Sequence, residues 1–292
     1  MASSPVNLKT CHARSNSLPS RPHPAITQLD EHLRRLRASE SGSSSSLSIC
    51  HKLSGLQDVH DSVDKLLQLT LTQRAFVQEH HQKWAEELSD GSLRLLDLCS
   101  IAKDALSQTK ECTHDLQSIV RRKRGDEMAL KNEVRKYFSS RKVIRKAIQK
   151  ALKGMESMCA DKKHESLALV SILREVEAAT LAVFESLLSY LAGAKSKSKS
   201  SSWSLVSKLV HPKRVASAVE VIETNELEML ETALHSLDNQ KTRKSEYSTH
   251  FENVQNFVGR LESSIEDLEE RLECLFRLLI KTRVSLLNIF NH

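Results

Sequence analysis

From Tyr247 to Ile289 apolar side chains return at alternating steps of three and four. With Phe251 at position a of a heptad, the a positions are Phe251, Val258, Ile265, Leu272, Leu279 and Leu286. The d positions are Tyr247, Val254, Leu261, Leu268, Leu275, Thr282 and Ile289, and only Thr282 breaks the stripe. A period of 3.5 sustained over about six heptads predicts one helix of about 45 residues, ~65 Å long at 1.5 Å per residue. Such a rod cannot bury its stripe alone; it needs helices of similar length beside it. Composition agrees. Among 292 residues there are seven Gly and five Pro, and no proline lies between Pro24 and Pro212. Aromatic residues are 4% of the chain. A sheet-rich fold of this size would need more tight turns and more aromatic and β-branched strands. The seam Val254, Val258, Leu261, Ile265, Leu268, Leu272, Leu275 and Leu279 serves either an antiparallel bundle within the chain or a coiled coil between chains, which leaves a homo-oligomer open.

The expected fold class is therefore all-α: an elongated bundle of long antiparallel helices with a disordered N-terminal tail. Residues 1–24 hold four of the five prolines and no apolar periodicity, which reads as that tail. Ile26, Leu29, Leu33 and Leu36 mark a short amphipathic helix, and a Ser-rich linker follows, so 25–48 form a second unit. The bundle occupies 49–292. It opens with the stripe Leu56, Val59, Val63 and Leu66, with Asp58, Asp61 and Asp64 off it. A helix over Leu71–Leu88, a turn at Ser89-Asp90-Gly91-Ser92 and a helix over Leu93–Val120 come next. Helices over Asp126–Met158 and Lys163–Leu191 follow. Residues 194–202 are a low-complexity Lys/Ser stretch expected to be a mobile loop. A short helix around Trp203–Val210, an acidic helix over Val215–Leu237 and the heptad helix complete the chain.

The formal net charge is +6, too modest to argue for nucleic acid by itself, so the distribution carries the information. The six cysteines are scattered with no C-x-x-C pair, against a disulfide framework or zinc finger. No apolar run follows Met1. The most apolar stretch, Leu167–Ala194, carries Arg174, Glu175, Glu177 and Glu185, which fits a buried helix and not a membrane span. Residues 1–29 contain no acid and are Ser-rich, compatible with either a disordered tail or an organelle transit peptide.

Chemistry is not legible. There is no G-x-S-x-G elbow, and the glycines stand singly, so phosphate-cradling loops are absent. Glu79-His80-His81 is the densest histidine cluster, but adjacent residues point to different helix faces. No catalytic residue, cofactor or metal ligand is expected.

Several stretches resemble the plant BYPASS-related family, long catalogued as a domain of unknown function. They are Arg14-Ser-Asn-Ser-Leu-Pro19, Leu95-Leu-Asp-Leu-Cys99, Val120-Arg-Arg122 and Leu275-Phe-Arg-Leu-Leu-Ile-Lys-Thr-Arg-Val-Ser-Leu-Leu-Asn-Ile289. The resemblance covers nearly the whole chain, and the C-terminal block is its most specific part. It implies a plant protein, an all-helical fold, no known catalytic activity and a role in root and shoot development.

Three surfaces are candidates for contact. Arg14, Ser15, Ser17 and Pro19 match the phosphopeptide type gripped by 14-3-3 proteins, with Arg14 placed to direct a basophilic kinase to Ser17. From Arg121 to Lys153 there are thirteen Lys/Arg and three acids. This basic patch comprises Arg121, Arg122, Lys123, Arg124, Arg135, Lys136, Arg141, Lys142, Arg145 and Lys146. It either faces solvent, toward an anionic membrane surface or nuclear import, or pairs with the acidic helix. No specific nucleic acid is expected, because the only aromatics here, Tyr137 and Phe138, suit a core. The third surface is the C-terminal segment Leu275–Asn291. Together these imply a non-enzymatic regulatory or adaptor protein acting through helix-mediated contacts. The alternatives are a peripheral factor at an anionic membrane in vesicle trafficking, or a nuclear regulator. The expected location is cytoplasmic, peripheral to a membrane or nuclear.

Overall fold

The computed structural model describes residues 23–39, 45–78, 82–122, 127–156, 168–193, 225–239 and 244–290. The phosphopeptide motif, residues 40–44 of the Ser-rich linker, the 194–202 stretch and the expected helix around Trp203 lie outside the described residues. Among the described residues there are eight helices and no strand. They are α1 Pro24–Ala38, α2 Ser46–Leu67, α3 Thr70–Gln78, α4 Gln82–Arg122, α5 Glu127–Glu156, α6 Ala168–Ala192, α7 Glu226–Asn239 and α8 Lys244–Phe290.

The ends follow local chemistry. α1 opens with Pro24 at its first turn, where the missing N–H costs nothing, and carries Arg35 and Arg37 in its last turn. The Ser45 hydroxyl caps α2 by accepting from the Ser48 N–H at 3.3 Å. α6 stops at Gly193, whose φ of 63° is left-handed and suits glycine.

Four long helices form a closed square, α2–α8–α4–α6, and the cross-contacts fix their directions. Lys103 pairs with Glu273 and Lys110 with Glu269, while Gln117 bonds Glu262, so α4 runs antiparallel to α8. Gln57 donates to the Arg271 carbonyl and Lys281 pairs with Asp64, so α2 runs parallel to α8. Arg174 pairs with Glu87 and Arg94 with Glu177, so α6 runs parallel to α4. Lys52 reaches Ser186 and His60 reaches Thr180, so α6 is antiparallel to α2. The bundle therefore has two parallel neighbour pairs as well as antiparallel ones. α1 packs on α2 and α6, and α5 packs outside α4 and α6. α7 lies along the N-terminal half of α8.

The core runs through the square. Leu53, Leu56, Leu116, Phe184, Leu187, Val258, Leu268 and Leu275 are all fully buried. At one end Phe76, Trp84 and Phe290 form an aromatic cluster, with Phe76–Trp84 centroids 5.0 Å apart and Trp84–Phe290 5.5 Å in an edge contact.

Two local expectations are corrected. The helix expected over Leu71–Leu88 is divided: α3 ends at Gln78, and Leu88 belongs to α4. The turn at Ser89–Ser92 does not form; α4 runs through it. Gly91 serves close approach instead. A Cβ there would meet the Glu177 carboxylate at 2.8 Å, and that carboxylate pairs with Arg94 at 3.0 Å. Arg283 donates to the Ser89 carbonyl at 2.7 Å and to Ser92 Oγ at 2.8 Å, so tertiary contacts hold the turn-forming residues in a helix.

Candidate interaction surfaces

The eight seam residues of α8 are spent inside the chain. Val254, Val258, Leu261, Ile265, Leu268, Leu272, Leu275 and Leu279 are each at most 3% exposed. They face the square, principally α4 and α2. A coiled coil between chains along this seam would have to expose the core first, so that reading is corrected to an intramolecular one.

The basic patch is not one surface. Arg141 is fully buried, and Arg145 is half-buried. Arg141 Nε pairs with Glu231 of α7 at 3.0 Å, one terminal nitrogen donates to Thr109 Oγ1 at 3.3 Å, and the other to the Leu191 carbonyl at 2.6 Å. Arg145 donates to the Ala192 carbonyl at 2.8 Å and pairs with the second Glu231 oxygen. Two guanidinium groups thus close the C-terminus of α6, where orphan carbonyls and the helix dipole both favour cations. Asn225 completes the junction. Its amide donates to the Tyr190 carbonyl at 2.8 Å, and its oxygen caps α7 at the Leu227 N–H. Glu226 then accepts from Ser46 Oγ at 2.6 Å, tying α7 to the start of α2.

The rest of the patch faces out. Arg135, Lys136, Lys142 and Lys146 are exposed on α5, and Arg121 and Arg122 at the end of α4. Lys123 and Arg124 lie outside the described residues. Tyr137 is 2% exposed and Phe138 stacks on His235 at 4.2 Å, so neither aromatic is presented to solvent.

On the last turns of α8 a second stripe borders the core. Phe276, Ile280 and Val284 follow at intervals of four; Phe276 and Leu287 are half-buried, whereas Ile280 and Val284 are 41% and 49% exposed. Arg277 and Lys281 lie along one side of this ridge, paired with Glu273 and Asp64 respectively.

Several titratable groups of the bundle are buried. His60 is 2% exposed, and burial pushes its pKa down to about 4. The Thr180 hydroxyl donates to the Val176 carbonyl, so His60 Nε2 must donate to Thr180 Oγ1; its Nδ1 has no hydrogen-bond partner. Asp64, expected off the apolar stripe, is 2% exposed and accepts from Gln68 at 2.7 Å and from Lys281 at 2.8 Å. Burial pushes the Cys99 thiol up to about 12 and the Cys112 thiol up to about 11, far from a reactive thiolate. Among the described residues no group of three or more His, Cys, Asp or Glu side chains is placed to hold a metal ion. No described helix is long and apolar enough to cross a membrane.

The pairing of the basic run with the acidic helix is met at Glu231, while Thr109 of α4 and the carbonyls that end α6 are partners the sequence does not point to. The C-terminal segment Leu275–Asn291 is a candidate surface in the sequence, but its exposed pair Ile280 and Val284 hides beside the stronger heptad signal. The inward arginines do have a signal: Arg141 continues the spacing Val134, Tyr137, Ile144, Ile148, the buried face of α5.

A family model described as Protein BPS1 matches residues 52–289. Comparison with curated proteins and with solved structures finds no match.

Proposed function

Because this chain belongs to the BPS1 family, the BYPASS family, we propose that it is a plant developmental regulator that works by occupying partners and not by turning over a substrate. The single observation that supports this reading is the exposed ridge of α8. Ile280 and Val284 stand one turn apart on α8, beside half-buried Phe276 and Leu287. A partner helix with an apolar stripe is complementary to that ridge. Lys103 Nζ sits 4.5 Å above the Phe276 ring and steadies the near end of the ridge.

A phosphorylated Ser17 in the tail would add a second recognition element for a 14-3-3 protein, with Arg14 selecting the kinase; this part rests on the residue string alone. The cytoplasm is the location that fits such contacts.

Genetic rescue tests the main reading. In plants lacking the protein, the chain carrying Ile280→Glu and Val284→Glu is expected to accumulate and fold normally yet fail to restore growth. Full rescue by this double variant would contradict the proposal.

A further inference from the structure

We infer that α5 is a docking element for an anionic lipid bilayer, lying along the membrane surface with its outward stripe of basic side chains against the headgroups. This face is separate from the α8 ridge and does not depend on it.

Arg135, Lys142, Lys146, Lys150 and Lys153 are all exposed. At 100° per residue they fall within about 80° of arc, and at 1.5 Å per residue they span about 27 Å. None of the five makes an ion pair with a described residue. The one acid between Met128 and Met155 is Glu133, on the far side of the helix, where it pairs with Lys136 at 3.1 Å. Glu231 of the neighbouring acidic helix does not neutralise the stripe, because it is already held by Arg141 and Arg145 on the inner side. The positive charge therefore goes uncompensated within the described structure.

The character of the face selects the partner. Met128, 71% exposed, lies on the same arc, and Val143, 62% exposed, lies at its edge. Apolar side chains among lysines suit a headgroup layer, where the cations meet phosphates and the apolar groups reach the acyl boundary. Single-stranded nucleic acid is recognised instead by aromatic platforms, and both aromatics of α5 are turned inward. The stripe also runs along one continuous helix, so its five cations can meet a flat anionic sheet together. Arg121 and Arg122 extend the charge at the end where α4 leads into α5.

Co-sedimentation of the full chain with vesicles tests this. Vesicles of phosphatidylcholine alone, and of phosphatidylcholine with phosphatidylserine, are compared at low and high salt. The wild type is expected to sediment with the anionic vesicles only, and less so as salt rises. Each basic residue near an anionic surface contributes about fivefold in partitioning. The variant Lys142→Glu/Lys146→Glu/Lys153→Glu is thus expected to lose well over tenfold, and the milder Lys142→Gln/Lys146→Gln/Lys153→Gln at least tenfold. A control, Lys65→Glu/Arg74→Glu, alters net charge away from α5 and is expected to bind nearly as well as wild type. Equal sedimentation with neutral vesicles would overturn the inference. So would glutamine and glutamate variants that bind like wild type, or a control that loses as much as they do. Tighter binding to single-stranded RNA than to anionic vesicles, lost in the same variants, would reassign the face to nucleic acid and overturn it too.

Discussion

His60 shows how a single side chain sets a pH limit on this bundle. Its folded pKa of about 4 lies below the ordinary histidine value of 6.5, because burial disfavours the imidazolium. The unfolded chain therefore binds the extra proton first as pH falls. Stability from this group is complete above pH 6.5 and is lost progressively down to about pH 4, a loss on the order of 3 kcal/mol. Urea midpoints measured from pH 7 to pH 4 check it: the drop in wild type should exceed that in His60→Gln by most of this amount, and parallel curves would contradict the assignment. Thr282 makes the opposite case. It occupies a d position at 8% exposure, and its hydroxyl has no hydrogen-bond partner. Thr282→Val removes a buried unsatisfied group and should raise stability by about 1 kcal/mol in urea unfolding. Arg141→Ala should be far more costly, about 3–5 kcal/mol, since it strips buried Glu231 and the Leu191 carbonyl of a partner together.

At the scale of elements, much was legible and the omissions have causes. The 3.5-residue repeat of α8 is a property of one segment, so it can be read without knowing what lies opposite. The same holds for α1, whose stripe Leu29, Leu33, Leu36 is buried as spaced. Gly91 was misread because glycine signals a turn locally, whereas here its small size admits Glu177 from another helix. The basic run was half legible: charge density shows that cations abound on α5, but only the neighbours show which two point at Glu231. Asp64 reads in the sequence only as lying off the apolar stripe, because its cation, Lys281, lies far away in sequence. Gly259 of α8 allows a direct check on helix energetics. A Cβ there meets nothing within 4 Å, so Gly259→Ala should gain about 1 kcal/mol by helix propensity alone. No gain in thermal or urea unfolding would mean that α8 is not a continuous helix at that point.

At the scale of the whole molecule, the four-helix square accounts for which groups are reachable. Cys50, Cys99 and Cys112 are buried and Cys274 is exposed. A short iodoacetamide pulse on native protein, read by mass spectrometry, should label Cys274 and spare Cys50, Cys99 and Cys112 until denaturant is added. Arg141 and Glu231 pair at one junction of the bundle, while Asp64 and His60 are held separately by Lys281 and Thr180. The ridge of α8 and the stripe of α5 are separate faces, so loss of one should leave the other working. Proximity labelling in plant cells, comparing the wild-type chain with Ile280→Glu/Val284→Glu at equal abundance, tests the central claim most directly. The account predicts that a discrete set of neighbours disappears while the variant keeps its helical circular dichroism spectrum. An unchanged set of neighbours around a folded variant would contradict it.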